Sequence, residues 1–278
     1  AEIEASLGNL SVLKGRYGDA LAYFEASRRK YDDLGMPHQS AIADLETADI
    51  YSELGLYDEA FRIYSATVPK LRSRRLRAEE ARARANFGRA AERLGRLRKA
   101  RSQWDMAARL YEQEGEQTGA ALVHLSIARL LGVQGDPKSA LKMAASARSV
   151  VERSDNPRHS LQAQWVEAEL TVAAGEFSDA ARRFRALIRS AETLEQHGIR
   201  QAALNSLGKL AAARGQTAEA IGHFERAASL VEDLRSPLPG EEFRMAFLSR
   251  RLEPFHNLAR LHIAADRPLD ALKWVERA

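Results

Sequence analysis

The chain has 278 residues, with 42 Lys and Arg against 38 Asp and Glu and no cysteine. The missing thiols exclude disulfides, thiolate metal sites and a cysteine nucleophile within these residues. Only 8 prolines and a mix rich in Ala, Leu, Arg and Glu argue for an ordered helical chain, and the longest apolar stretch, AALVHLSIARLLGV (120–133), carries His124 and Arg129 and is too short to cross a bilayer.

Taken in chain order, the predicted elements repeat. GRYGDAL opens at Gly15 and GLYDEAF at Gly55, and glycines follow at 95, 135, 175 and 215, always 40 residues apart. Five positions after each stands an alanine, at 20, 60, 100, 140, 180 and 220. Four further on come Phe24, Tyr64, Trp104, Ala144, Phe184 and Phe224. Upstream of each glycine lies a second apolar-periodic segment, such as AIADLETADIYSELG (41–55), whose Leu45, Ala48 and Tyr51 share a helical face. The pattern predicts helix pairs. The glycine ends a first helix in a left-handed conformation, the alanine marks close helix approach, and the large residue fills the space one turn later. No pair can bury its apolar face alone, so stacking makes the core. Pro69, in VPKLRSRR, is expected to shorten the second helix of the second unit. Pro137, after Gly135-Asp136, sits where a helix start tolerates it. A seventh unit, ADRPLDALKWVERA (265–278), puts Asp266 in the glycine place, Ala271 in the alanine place and Val275 in the large-residue place. It is offset by 51 residues, which predicts an insertion around RSPLPGEEFRMA (235–246). The expected division is thus six units over 1–234, then the insertion and a divergent unit over 235–278.

YSELGLYDEAFRIYSAT and SLGKLAAARGQTAEAIGHFERAASL resemble the tetratricopeptide repeat. Leu7-Gly8, Phe87-Gly88 and Leu207-Gly208 match that family's first-helix Leu-Gly, while Ala48, Ala128 and Ala168 stand in for the glycine. The unit exceeds the family's usual ~34 residues, so longer helices are expected. The resemblance implies an all-α, right-handed superhelical solenoid of about seven antiparallel helix pairs, with a peptide-binding concave surface. The chain starts at Ala1 inside an expected first helix and stops at Ala278 inside a second, which reads as a fragment of a longer protein. Residues 238–278, with Arg244, Phe247, Phe255 and Leu258 before ADRPLDAL and WVERA, resemble the final repeat of bacterial proteins in which such an array precedes a CHAT domain, a caspase-like protease module. That implies a regulatory arm whose catalytic residues lie beyond this chain.

Within these residues no phosphate-binding loop, nucleophile elbow, zinc-protease motif or dinucleotide fingerprint occurs. Seven histidines, at 38, 124, 159, 197, 223, 256 and 262, are scattered, and metal ligation is not expected. The fragment therefore reads as a non-catalytic scaffold without cofactor. Charge is uneven: from Lys70 to Arg101 there are 13 Lys and Arg against 3 Asp and Glu. The column containing Asp49 reads Asn9, Asp49, Arg89, Arg129, Glu169, Lys209 and Arg260, mostly cationic. Arg82, Asn86, Arg89 and Arg93 share one helical face, Asn205 with Lys209 repeats the theme, and Leu125 and Trp165 offer apolar anchors. The candidate groove is Arg82, Asn86, Arg89, Arg93, Leu125, Arg129, Trp165, Asn205, Lys209 and Arg260. The expected partner is a protein or peptide, acidic by charge, or a downstream domain of the same polypeptide. The alternatives are the regulatory arm of a bacterial transcription factor and nucleic-acid binding through residues 70–101. No membrane partner is expected, and the location reads as cytoplasmic.

Overall fold

The computed structural model describes residues 1–154, 156–236, 241–249 and 251–278. Among them are fifteen α-helices and no strand: α1 Glu2–Leu13, α2 Tyr17–Asp33, α3 Pro37–Leu54, α4 Tyr57–Ser73, α5 Arg77–Arg93, α6 Leu97–Gln113, α7 Gln117–Val133, α8 Pro137–Val151, α9 Pro157–Ala173, α10 Phe177–Thr193, α11 His197–Ala213, α12 Thr217–Arg235, α13 Glu241–Ser249, α14 Glu253–Ala264 and α15 Pro268–Arg277. The chain divides into two compact units, one of Ala1–Ile127 with Leu238–Ala246, the other of Ala128–Pro237 with Phe247–Ala278. Most helices run 17 residues, and three-residue turns join them, which accounts for the 40-residue period. No helix among the described residues is long and apolar enough to cross a membrane.

The turns follow a 20-residue rhythm, twice as fine as the sequence pattern. Left-handed backbone recurs at Gly15, Gly35, Gly55, Arg75, Gly95, Gly115, Gly135, Gly175, Glu195 and Gly215. At each of these positions the chain reverses after a helix, and the amide just beyond bonds back to a carbonyl in the last turn, as Arg16 N does to Ser11 O at 2.8 Å. The sequence shows only the 40-residue half because Arg75 (φ 59°) and Glu195 (φ 53°) take the place of glycine after second helices. Asp266 (φ 57°) occupies the glycine place of the last unit, as its alignment predicts.

Inside each pair the alanines at 20, 60, 100, 140, 180 and 220 are fully buried, and so are the large residues one turn later. They face the first-helix small residue 16 positions upstream. A Cβ on Gly8 would stand 2.9 Å from Phe24, one on Gly88 2.4 Å from the Trp104 indole, and one on Gly208 2.7 Å from Phe224. Glycine is needed there because the aromatic ring fills the volume a methyl would take. In the first unit, Leu45, Ala48, Tyr64, Leu71 and Phe87 make one cluster across α3, α4 and α5. In the second, Leu161, Ala168, Phe184, Leu187, Leu204 and Leu207 do the same across α9, α10 and α11.

Two expectations are corrected. Pro69 does not shorten its helix: α4 runs its full 17 residues through it. Pro69 and Ser65, the residue whose carbonyl loses its donor, both lie on the exposed side, where solvent is available to that carbonyl. Val275 does not fill the large-residue place of the last unit. It is exposed, while its neighbour Trp274 packs edge-on to Phe255, 6.3 Å between ring centres. The expected insertion at 235–246 falls partly on residues 237–240, outside those described.

Candidate functional site

First helices neighbour one another within each unit, α3 beside α5 and α9 beside α11. The candidate groove residues all lie on first helices, α5, α7, α9, α11 and α14, and the best-defined polar centre is on α3 and α5. Its hub is Asp49. Oδ1 accepts from the Tyr64 hydroxyl at 2.5 Å and from Asn86 Nδ2 at 2.7 Å, and Oδ2 pairs with Arg82 Nη1 at 3.1 Å. A second carboxylate, Glu46, holds Arg82 Nη2. Arg89 Nη2 donates to Asn86 Oδ1 at 2.7 Å, closing a chain that runs Glu46, Arg82, Asp49, Asn86, Arg89. Arg93, one turn further along α5, stands exposed.

The electrostatics follow from burial. Desolvation pushes the Asp49 carboxyl above its ordinary 3.8, against the Arg82 charge and the Tyr64 and Asn86 hydrogen bonds, which pull it down. Desolvation and then the Asp49 charge push the Tyr64 hydroxyl well above 10.0. Burial pulls Arg82 down, but the Glu46 hydrogen bond and the Asp49 charge outweigh it and hold the guanidinium above its ordinary value. Tyr111 is raised mainly by burial, and the charges of Arg82, Asp49 and Arg89 act on it. Arg82 and Asn86 are thus fixed in place by acids from the preceding repeat. Arg89 donates from Nη2 to Asn86, and its exposed position leaves its guanidinium accessible to solvent.

The other candidates separate into groups. Arg129 lies over the Trp165 ring, 5.6 Å from its centre, a cation–π distance. The buried Trp165 indole nitrogen makes no hydrogen bond among the described residues. Asn205 is only 6% exposed; its Nδ2 donates to Glu253 at 2.7 Å, and Lys209 pairs with the same carboxylate. Arg260 donates to Asn257 at 3.0 Å on its own helix. Leu125 is corrected: it is 0% exposed. Position 125 points into the core in α7, as Leu45 does in α3, so it offers no surface anchor.

The basic block is likewise not one patch. Arg72, Arg74, Arg75 and Arg77 cluster at the turn between α4 and α5. Arg93, Arg96, Arg98 and Lys99 cluster at the turn between α5 and α6. A 17-residue helix, about 25 Å long, separates them. Arg84 is withdrawn altogether: buried, it pairs with Glu80 at 2.7 Å and donates to Gln103 at 2.9 Å. Arg101 pairs with Asp105 at 2.9 Å, and Arg96 lies over the Phe61 ring, 4.2 Å from its centre. Among the described residues no group of three or more His, Asp or Glu could hold a metal ion.

Sequence reasoning missed Glu46, Tyr111 and Glu253. The first was legible: the acids that hold Arg82 and Asn86 lie 36 and 37 residues upstream, one repeat less a helical turn. Ser206 bonding to Glu169 repeats the same 37-residue step in the second unit. Glu253 lies beyond the insertion, where no fixed offset points to it.

Comparison with known proteins agrees with the repeat geometry. Family models described as tetratricopeptide repeat match residues 7–73 and 166–234, and another of the same description matches 90–118, together more than half of the chain. No curated protein matches its sequence. Among solved structures, the apo form of RapI superposes with a TM-score of 0.72 at 11% identity, over 99% of this chain and 97% of that one. A Rap protein complexed with competence and sporulation factor gives 0.63 at 15% identity, over 93% of this chain and 75% of that one. The Rap conjugation gene regulator of the plasmid pLS20, in complex with a peptide, gives 0.64 at 13% identity, over 93% and 74%.

Proposed function

Because the chain belongs to the tetratricopeptide repeat family, we propose that it is a protein-interaction scaffold that holds a peptide or protein partner on the first-helix side of its repeats. The observation that carries this reading is the α3–α5 face. There Asp49 and Glu46 fix Arg82 and Asn86, while Arg89 and Arg93 remain exposed one turn apart. A face held by its own hydrogen bonds loses little side-chain entropy on binding. Two exposed guanidinium groups in register suit an acidic segment of the partner. The peptide complexes of the structurally similar Rap proteins support a peptide as the partner class.

The sharper form of the reading makes the chain a cytoplasmic regulatory arm, whose partner shifts a downstream CHAT-type protease between states. Its support is the resemblance of residues 238–278 to the closing repeat of such proteins. The scaffold reading is tested by selecting binders from a peptide library against the chain and measuring affinity by calorimetry. Arg89→Ala and Arg93→Ala, each made alone, are expected to weaken a selected acidic peptide by about tenfold with unchanged thermal unfolding. Affinity unaltered in both variants overturns the assignment of this face.

A further inference from the structure

Among the described second helices, α4 alone has a proline in its interior, Pro69. A pocket of about 460 Å³ opens on the same helix, lined by Asp58, Phe61, Arg62, Ser65 and Ala66 and by Arg96 at the start of α6. All of these residues belong to the first compact unit. Positions 58, 61, 62, 65 and 69 follow one another at helical spacings of three and four, so they form one stripe of α4.

The repeat register shows how the pocket arises. In α2 the places of Ser65 and Pro69 are taken by Glu25 and Arg29, which pair at 2.8 Å along the stripe. In α6 Asp105 stands in the place of Ser65 and pairs with Arg101 at 2.9 Å. In α10 the residue there is Arg185, paired with Glu219 at 3.1 Å. On α4 the stripe is stripped of these long side chains, and Pro69 also withholds the N–H that the Ser65 carbonyl would accept. In α8 Ala145 and Ser149 are short too, but Ser149 keeps its N–H and Glu176 takes the place of Arg96.

What remains is a set of unfilled polar groups around an aromatic ring. Phe61 forms the floor, braced edge-on by Phe87 at 4.8 Å between ring centres. Arg96 lies over it, 4.2 Å from the ring centre. Stacking occupies the face of the guanidinium and leaves the N–H donors on its rim for an acceptor. Arg62 is exposed and has no ion-pair partner among the described residues. The first turn of α6 adds Arg98 and Lys99 and no acid. The pocket thus suits a ligand that brings a carboxylate, an apolar group and an N–H donor together. An acidic residue beside an apolar one in a polypeptide does so: a carboxylate for Arg62 and Arg96, an apolar side chain for Phe61, a backbone N–H for the Ser65 carbonyl. Asp58, at the other end of the stripe, suits a further N–H and disfavours the closely spaced phosphates of a nucleic-acid strand. We propose that this pocket docks an acidic segment of a partner protein in which an apolar residue adjoins Asp or Glu. The site uses other residues than the first-helix face, so either can fail without the other.

The test uses short amidated peptides, each with one apolar residue beside Asp or Glu, and a matched set with Asn or Gln in that place. Binding is read by fluorescence polarisation on a chain carrying Arg89→Ala and Arg93→Ala, so that the first-helix face does not contribute. Members of the acidic set are expected to bind, and their amide counterparts to bind at least about tenfold more weakly. Arg62→Ala and Arg96→Ala are each expected to weaken the acidic peptides by about tenfold. Ser65→Glu together with Pro69→Arg rebuilds the α2 pair over the pocket. That chain is expected to lose binding while its unfolding midpoint holds or rises, since a proline leaves the helix. The proposal is overturned if no acidic peptide binds, if the amide set binds equally well, or if the refilled chain binds as before. A single-stranded oligonucleotide that displaces bound peptide and binds the pocket more tightly overturns it as well, and makes the site a nucleic-acid contact.

Discussion

Helices α5 and α11 occupy the same place in their repeats, 120 residues apart, yet carry different loads. Each sends a polar side chain back by 37 residues to an acid of an earlier first helix, Asn86 to Asp49 and Ser206 to Glu169. In the first unit Tyr64 adds a hydroxyl from below and Arg82 a charge from beside, so the acid becomes a four-membered hub. In the second unit the positions aligned with Tyr64 and Arg82 are Phe184 and Ala202, which contribute neither. Lys209 of α11 pairs instead with Glu253 on α14, both about half exposed. The repeat thus supplies a common scaffold contact, and single side chains decide whether it becomes a rigid charged network or a loose surface pair.

Substitution of the glycine under each helix breaks this comparison most severely. Gly88→Ala puts a methyl against the Trp104 indole, whose N–H is tied to the Ala85 carbonyl at 3.1 Å and resists moving. A loss of about 3 kcal/mol is expected in chemical denaturation, near the upper end of overpacking costs. Gly208→Ala meets the Phe224 ring at 2.7 Å, without a polar tether of that kind, and should cost about 1–2 kcal/mol. Equal losses would mean that the tether does not stiffen the site.

Next in size is removal of the two acids. Asp49→Ala strips the Tyr64 hydroxyl and Asn86 of their acceptor and Arg82 of one partner, and is expected to cost about 2 kcal/mol. Glu253→Ala breaks a pair with an exposed lysine and should cost less than about 1 kcal/mol, although Asn205 loses its partner as well. Thermal unfolding of both variants at one pH and salt concentration orders them.

Asp49 also has a pH signature. Its folded pKa lies above the ordinary carboxylate value because burial disfavours the charge. The folded state therefore holds the proton more tightly than the unfolded state. The stability this adds is present at low pH and is lost as pH rises through the raised pKa. Asp49→Asn removes the titration. The stability of wild type relative to that variant is expected to fall as pH rises above 3.8, in unfolding curves recorded stepwise toward neutrality. A difference that rises with pH would show that Arg82 and the hydrogen bonds outweigh desolvation.

The smallest expected effect concerns the turns. Arg75 adopts the left-handed conformation that glycine takes at the equivalent turn after α2. Arg75→Gly relieves a cost of up to about 1 kcal/mol, offset by the greater freedom of glycine in the unfolded chain. The net gain expected is a few tenths of a kcal/mol, measurable as a small rise in unfolding midpoint. Gly35→Arg should destabilise in return.

The sequence by itself determined the helix pairs, their 40-residue length and the residues at their seams. These depend on local spacing and on residue size: a glycine to leave a helix, an alanine where helices touch, an aromatic to fill the gap. Arg82, Asn86 and Arg89 were legible as one face for the same reason, since helical spacing alone puts them there. The tertiary structure decided which of these side chains are held and which are free. Asp49, on α3, became a hub only because Tyr64 of α4 and Arg82 and Asn86 of α5 converge on it. Leu125 went into the core although helical spacing places its column one turn from Arg129, and Pro69 was tolerated because it and Ser65, whose carbonyl it leaves without a donor, lie on the exposed side of α4. Burial and partnership depend on what packs from neighbouring repeats, and a period read along one chain does not contain that.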